Sequence, residues 1–193
     1  MNDNVLSNYV FGETYFPHVA IPINRKAGDT IIFFESKQLI WKIEKQLKDK
    51  KKIANNLIAN NLNVDSLMAV DAIDLIETFD SKYNFFLPDN VNEIRNMYYF
   101  GSLSTLGIQA FLTLKEATNI TNLQPWATMY NRLIDKAYNQ NNLLSKNRLE
   151  ISPNKLSKFT KYFDTAYQQK IKDLFSKEKA INHRILSTKD FML

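Results

Sequence analysis

The chain has 193 residues, 45% hydrophobic content and a net charge of +5, which is ordinary for a folded protein with either one core or a small domain plus an extension. It contains no Cys, which excludes disulfide frameworks, thiolate nucleophiles and zinc–thiolate sites. Four Gly and five Pro argue against a turn-rich β-barrel, and the first ten residues lack the pattern of a signal peptide. We therefore expect a cytoplasmic protein.

The N-terminal residues contain two short β-like runs, at 19–23 and 30–34, with Gly28 in the polar stretch between them. This pattern predicts a small β-hairpin, and Pro22 places its strand at an edge. A lone hairpin is marginal in water, so we expect it to pack on the rest of the chain or on a partner.

A helical pattern begins at Ser36, where apolar residues recur at spacings of three and four up to about residue 49. A second begins at Asp65, a favourable N-cap, and ends before Pro88. Its apolar positions are three apart and form one stripe: Leu67, Val70, Ile73, Ile76 and Phe79. Asp71, Asp74 and Glu77 lie beside this stripe.

Residues 96–114 carry no charge and are just long enough to span a bilayer, but they include Asn96, Ser102 and Gln109. Polar groups are costly in lipid, so we predict a buried helix and no membrane association. Further helices are predicted with Pro125 at a first helical position and, as a single last helix, from Ser152-Pro153.

These elements predict a mainly α protein, a helical bundle with a small N-terminal β-hairpin and a C-terminal helical extension. The predicted segments are the hairpin at residues 1–35, a bundle at 36–103 and a C-terminal helical region at 104–193 that packs on it.

The run from Asp65 resembles the acyl carrier protein family, in which Asp-Ser-Leu opens the second helix of a four-helix bundle. Here the motif is Asp65, Ser66 and Leu67, and Leu87-Pro88-Asp89 resembles the end of the family's segment. Intervening positions that resemble the family are Val70, Ala72, Ile73, Ile76, Glu77 and Tyr83. The resemblance covers residues 36–103, whereas the basic first helix and residues 104–193 depart from the family.

The resemblance implies that Ser66 carries 4′-phosphopantetheine with an acyl group, and that Asp65 and Leu67 belong to the attachment site. The acidic positions 71, 74 and 77 would then attract a basic partner enzyme. The residues alone leave another interpretation open, in which Asp65 and Ser66 cap a structural helix and the acids form a solvated face.

A second hypothesis is a non-enzymatic assembly subunit, such as a virus head-to-tail adaptor of the neck ring. It would form a homo-oligomeric ring or bind neighbouring subunits in a virion. The hairpin and the C-terminal helices would be its contact surfaces, because such elements cannot bury their apolar side chains well without a partner.

His18 and His183 have no ligand partners at helical spacing, so we predict surface histidines and no metal. No Gly-rich phosphate loop or Gly-x-Ser-x-Gly motif is present, so we predict no enzyme.

Basic residues with interleaved tyrosines leave nucleic-acid binding as a further alternative. They are the lysines of 37–52, then Lys155, Lys158, Lys161, Lys170 and Lys172, with Tyr162 and Tyr167.

Overall fold

The computed structural model describes residues 20–22, 29–49, 62, 64–70, 94–117, 121–145 and 150–191. The strands within these ranges are β1 (Ala20–Pro22), β2 (Thr30–Phe34), β3 (Val64–Ala69), β4 (Asn96–Phe100), β5 (Leu123–Pro125), β6 (Leu144–Ser145) and β7 (Lys179–Ala180). The helices are α1 (Lys37–Asp49), α2 (Thr105–Ala117), α3 (Ala127–Asn139), α4 (Pro153–Thr160) and α5 (Thr165–Ser176). Two 3-10 turns follow, at His183–Ile185 and Thr188–Phe191.

Five strands form one sheet in the order β1-β3-β2-β4-β5. Strands β3, β2, β4 and β5 are parallel, and β1 pairs antiparallel with β3 at the edge. The chain adds β3 on one side of β2 and then returns to add β4 on the other side. The direction of strand addition therefore reverses between β2 and β4.

Strand β2 is formed by Thr30-Ile31-Ile32-Phe33-Phe34, and all five residues are buried. Branched and aromatic residues favour strands, and a parallel strand covered on both faces is apolar throughout rather than alternating. The sequence therefore predicted the strand at 30–34 correctly but placed it in a peripheral hairpin instead of mid-sheet.

The predicted mainly α helical bundle is wrong, because the chain forms an α/β fold with four parallel strands. The helix expected from Asp65 is strand β3 at residues 65–69, and the buried helix predicted at 96–114 begins as strand β4. The hairpin is also wrong, since β1 pairs with β3 rather than β2. Short apolar runs do not distinguish a buried helix from a buried strand by periodicity.

Three other predicted helix regions are confirmed, although Pro125, predicted at a first helical position, is the last residue of β5 and the helix begins at Ala127. Helix α1 begins directly after Ser36, whose Oγ accepts a hydrogen bond from the Leu39 N–H at 3.2 Å. Helix α4 begins at Pro153, and Ser152 caps it by accepting from the Lys155 N–H. The single last helix that we predicted is instead interrupted, and Asp164 caps the new helix α5.

The uncharged residues 96–114 form strand β4, a short connection at 101–104 and the first ten residues of helix α2. Within the described ranges, no helix has the length and apolarity needed to cross a bilayer.

Candidate functional site

The candidate site lies where the carboxyl ends of β2 and β4 meet. Phe34 and Phe100 are register partners in these strands, and the Glu35 N–H donates to the Phe100 carbonyl at 3.1 Å. This is the point at which strand addition reverses direction. Open parallel sheets place ligand sites at such points, just beyond the carboxyl ends of the strands.

The C-terminal segment brings His183 to this edge of the sheet. Leu103 and Ile181 exchange two backbone hydrogen bonds of 2.9 Å, which align the segment with the loop after β4. Asn182 then accepts from the Arg184 N–H and starts the 3-10 turn that holds His183. As a result, His183 Nδ1 lies 2.9 Å from the Ser102 Oγ.

Glu35 completes the group. The Ser102 N–H donates to Glu35 Oε2 at 2.5 Å, and the same oxygen lies 3.7 Å from His183 Nδ1. We call Glu35, Ser102 and His183 the Ser–His–Glu cluster. Its hydroxyl, imidazole and carboxylate come from three separate parts of the chain.

Two glycines allow this close arrangement. A Cβ on Gly101 would collide with the Glu35 carboxylate and lie 2.8 Å from the Tyr99 hydroxyl oxygen. A Cβ on Gly107 would collide with the Ser102 carbonyl oxygen. A larger residue at position 107 would therefore displace the Ser102 backbone, and one at position 101 would push the Glu35 carboxylate away from the Ser102 N–H.

Tyr130 holds the loop of Gly101 and Ser102 in place through a hydrogen bond. Its side chain is fully buried, and its hydroxyl oxygen accepts from the Gly101 N–H at 3.0 Å. Burial raises the pKa of Tyr130 well above 10, and the nearby Glu35 charge adds to that effect, although the Gly101 hydrogen bond opposes it. Tyr130 is therefore a neutral phenol under all ordinary conditions.

The imidazole of His183 is neutral at pH 7. Burial lowers the pKa of His183 to about 4, and the positive charge of Arg184 contributes in the same direction. The 3.7 Å approach of Glu35 is consequently not an ion pair at neutral pH. No described residue provides a hydrogen-bond partner for His183 Nε2, which is buried. If Nε2 carries the proton, Nδ1 can accept the proton of the Ser102 hydroxyl.

The predicted phosphopantetheine attachment site, Ser66, is not part of the Ser–His–Glu cluster. Ser66 lies within β3, paired with Pro22 on one side and Ile31 on the other, and is only 4% exposed. Asp65 and Leu67 are its neighbours in the same strand. The prediction that Ser66 stands at the start of a helix is thus wrong. The acidic positions 71, 74 and 77 lie outside the described residues.

Sequence reasoning missed the Ser–His–Glu cluster. We predicted that His183 is a surface residue, but it is 7% exposed. His18 lies outside the described residues. The available signal was Gly101-Ser102 directly after an apolar run, which is where a parallel strand would end. No group of three potential metal ligands occurs among the residues that the structure describes.

Comparisons of the chain with protein-family models, with curated proteins and with solved structures found no match. The geometry of the Ser–His–Glu cluster is therefore the basis for inferring a function.

Proposed function

We propose that this protein is an acyl-transfer enzyme, in the simplest case an esterase or thioesterase, with Ser102 as nucleophile and His183 as general base. The observation that carries the proposal is the 2.9 Å contact between Ser102 Oγ and a neutral His183 at the reversal point of a parallel sheet. Ser102 as a residue is half-buried, whereas His183 is buried.

In the proposed reaction, Ser102 Oγ attacks the carbonyl carbon of the substrate while His183 Nδ1 takes the hydroxyl proton. The tetrahedral intermediate then collapses, its bond to the leaving group breaks, and His183 returns the proton to the departing alcohol or thiol. Water, deprotonated in turn by His183, hydrolyses the acyl–serine ester. The products are the free acid and the regenerated serine.

Glu35 would stabilise the imidazolium that forms during each proton transfer, because its carboxylate oxygen lies 3.7 Å from Nδ1. The arrangement differs from the Ser-His-Asp triad, in which the acid and the serine contact opposite ring nitrogens. Here both approach Nδ1, so Glu35 acts on the charge of the ring and on the Ser102 backbone rather than on Nε2.

A serine-directed fluorophosphonate probe tests this proposal directly. We expect covalent labelling of the wild-type protein at Ser102, and loss of labelling in Ser102→Ala and His183→Gln. Hydrolysis of p-nitrophenyl acetate should fall by ~10³-fold in Ser102→Ala. Ser157→Ala is the matched control, since Ser157 is exposed on α4, and it should keep full activity.

An unlabelled wild-type protein would contradict the proposal, and so would labelling at Ser104 instead of Ser102. The proposal replaces our expectation of a non-enzymatic protein. The carrier hypothesis gains no support from a serine inside a sheet strand. The assembly-subunit hypothesis stays a prediction, which measurement of the oligomeric state by light scattering would test.

A further inference from the structure

A second concave site lies at the far end of α2 from Ser102. It is a cavity of about 330 Å³ between the ends of α2 and α4, lined by Leu112, Lys115, Thr121, Lys158, Lys161 and Tyr162. Helix α2 starts three residues after Ser102, and its first cavity-lining residue, Leu112, is seven positions after Thr105, or roughly 10 Å along the axis. None of Glu35, Ser102 and His183 lines the cavity. The cavity is therefore independent of the Ser–His–Glu cluster.

The charge of this cavity is predominantly positive. Three lysines line it against one carboxylate, that of Glu116. Lys158 Nζ lies 3.9 Å from the Glu116 carboxylate, and the two side chains are 53% and 74% exposed. An ion pair this long and this exposed contributes little, so Lys158 remains available to a ligand.

Tyr162 lies between the lysines. The Lys161 and Lys115 ammonium nitrogens lie 5.1 and 5.8 Å from the centre of its ring. Lys115 is held by the carbonyls of Thr121 and Leu123, whereas Lys158 and Lys161 are one helical turn apart and project from the same side. The site thus combines a fixed ammonium group, two adjustable ones and a half-buried aromatic ring.

Helix C-termini favour cations, and α2 and α4 both end at this cavity. That effect explains the position of the Lys115 ammonium group, which already binds two backbone carbonyls. It does not involve the ammonium groups of Lys158 and Lys161, whose side chains both line the cavity. Like charges held together repel each other, and a bound anion would relieve that repulsion.

We propose that this cavity binds the phosphate group of an organic phosphate. Lys158 and Lys161 would pair with phosphate oxygens, and Tyr162 and Leu112 would contact the attached organic part. A multiply charged group with several oxygens suits several point-like ammonium donors. The volume lies at the lower end of the range for small-molecule sites, which suits a mononucleotide or one nucleotide unit of a strand.

Titration calorimetry at low ionic strength tests the site with two sources of the same chemistry, AMP and an eight-residue oligothymidylate. Wild-type protein should bind at least one of them saturably. The variant Lys158→Gln/Lys161→Gln should bind that ligand roughly tenfold more weakly. The ligand that shows this loss identifies the source of the phosphate.

The matched control is Lys155→Gln/Lys172→Gln, which removes the same charge from exposed lysines that do not line the cavity. It should change affinity by less than about twofold. Absence of saturable binding to wild-type protein would overturn the proposal. Equal weakening by both double variants would also overturn it, because it would show attraction to overall charge instead of a site.

Discussion

At the scale of single residues, the environment of His183 decides what the candidate site can do. Its side chain is 9% exposed, its Nδ1 contacts Ser102, and its Nε2 has no partner among the described residues. Burial disfavours the charged ring, so the imidazole enters any reaction as a free base. A histidine with an ordinary pKa would instead be partly protonated near pH 6.5.

This environment predicts an unusual titration. In ¹H NMR, one of the two histidine rings should titrate with a midpoint of about 4, and His183→Gln should remove that signal. The acid limb of esterase activity should follow the same midpoint, with most of the activity retained at pH 5.5. A midpoint near 6.5 for both rings would contradict the assigned burial.

The lowered pKa of His183 also predicts that the stability of the protein depends on pH. Between pH 6.5 and about 4 the unfolded chain binds a proton at His183 and the folded chain does not, so acid favours unfolding in this window. The free energy of unfolding should fall as pH decreases, by up to about 3 kcal/mol from this group. Urea titrations should show a smaller decrease for His183→Gln across the same window.

At the scale of elements, the segment after α5 matters most because it delivers His183. The chain leaves α5 through Glu178, which has a left-handed φ of 52°. Farther on, Asp190 Oδ2 accepts from Ser187 N at 2.6 Å, from Ser187 Oγ at 2.8 Å and from Lys136 Nζ at 2.8 Å. Arg132 Nη1 also donates to the Asp190 carbonyl. The bonds from Lys136 and Arg132 attach the second 3-10 turn to α3, and those from Ser187 fix the turn itself.

Removing this attachment should destabilise the protein. We expect Asp190→Ala to lower the free energy of unfolding by about 1–2 kcal/mol, because Lys136 and Ser187 lose a shared acceptor. Glu116→Ala, which removes only a long and exposed ion pair, should change it by less than about 0.5 kcal/mol. Urea unfolding at pH 7 measures both, and equal effects would contradict the role of Asp190.

Burial alone would raise the pKa of Asp190, but hydrogen bonds from Lys136 and Ser187 outweigh it and hold that pKa below its usual value. The Asp190 carboxylate therefore contributes fully to the free energy of unfolding above about pH 4, and this contribution is lost as pH falls further. It does not overlap with the window assigned to His183.

At the scale of the whole molecule, aromatic packing joins the C-terminal segment to the sheet. Phe191 is fully buried, and its ring centre lies 5.7 Å from that of Phe34, 5.5 Å from Phe100 and 6.1 Å from Trp126. Phe191, eight residues after His183, therefore fixes the C-terminal segment against the hydrophobic core. The position of His183 is therefore coupled to the packing of Phe191 against β2, β4 and Trp126.

Phe191→Ala should therefore affect both stability and activity. A cavity of this size in a core costs about 3–5 kcal/mol. Esterase activity should fall at temperatures where the variant is still folded by circular dichroism, since the His183 segment loses its anchor. Leu144→Ala is the control, because Leu144 is 44% exposed and should tolerate truncation. Full activity in folded Phe191→Ala would contradict the anchoring role.

The sequence by itself determined the local features that depend on neighbouring residues. Ser36 precedes α1, Ser152-Pro153 begins α4, and residues 30–34 form a strand. Caps, a proline at a helix start and branched or aromatic runs act over a few residues, so they can be read without knowing the fold.

Only the tertiary structure decided the rest. Val64–Ala69 is a strand because it pairs with β1 and β2, and those partners are not evident from its own apolar run. Ser102 meets Glu35 across 67 positions and His183 across 81. Contacts at such separations follow from strand order and from the docking of the C-terminal segment. Hydrophobic burial selects these arrangements over the whole chain, and no short stretch of sequence records them.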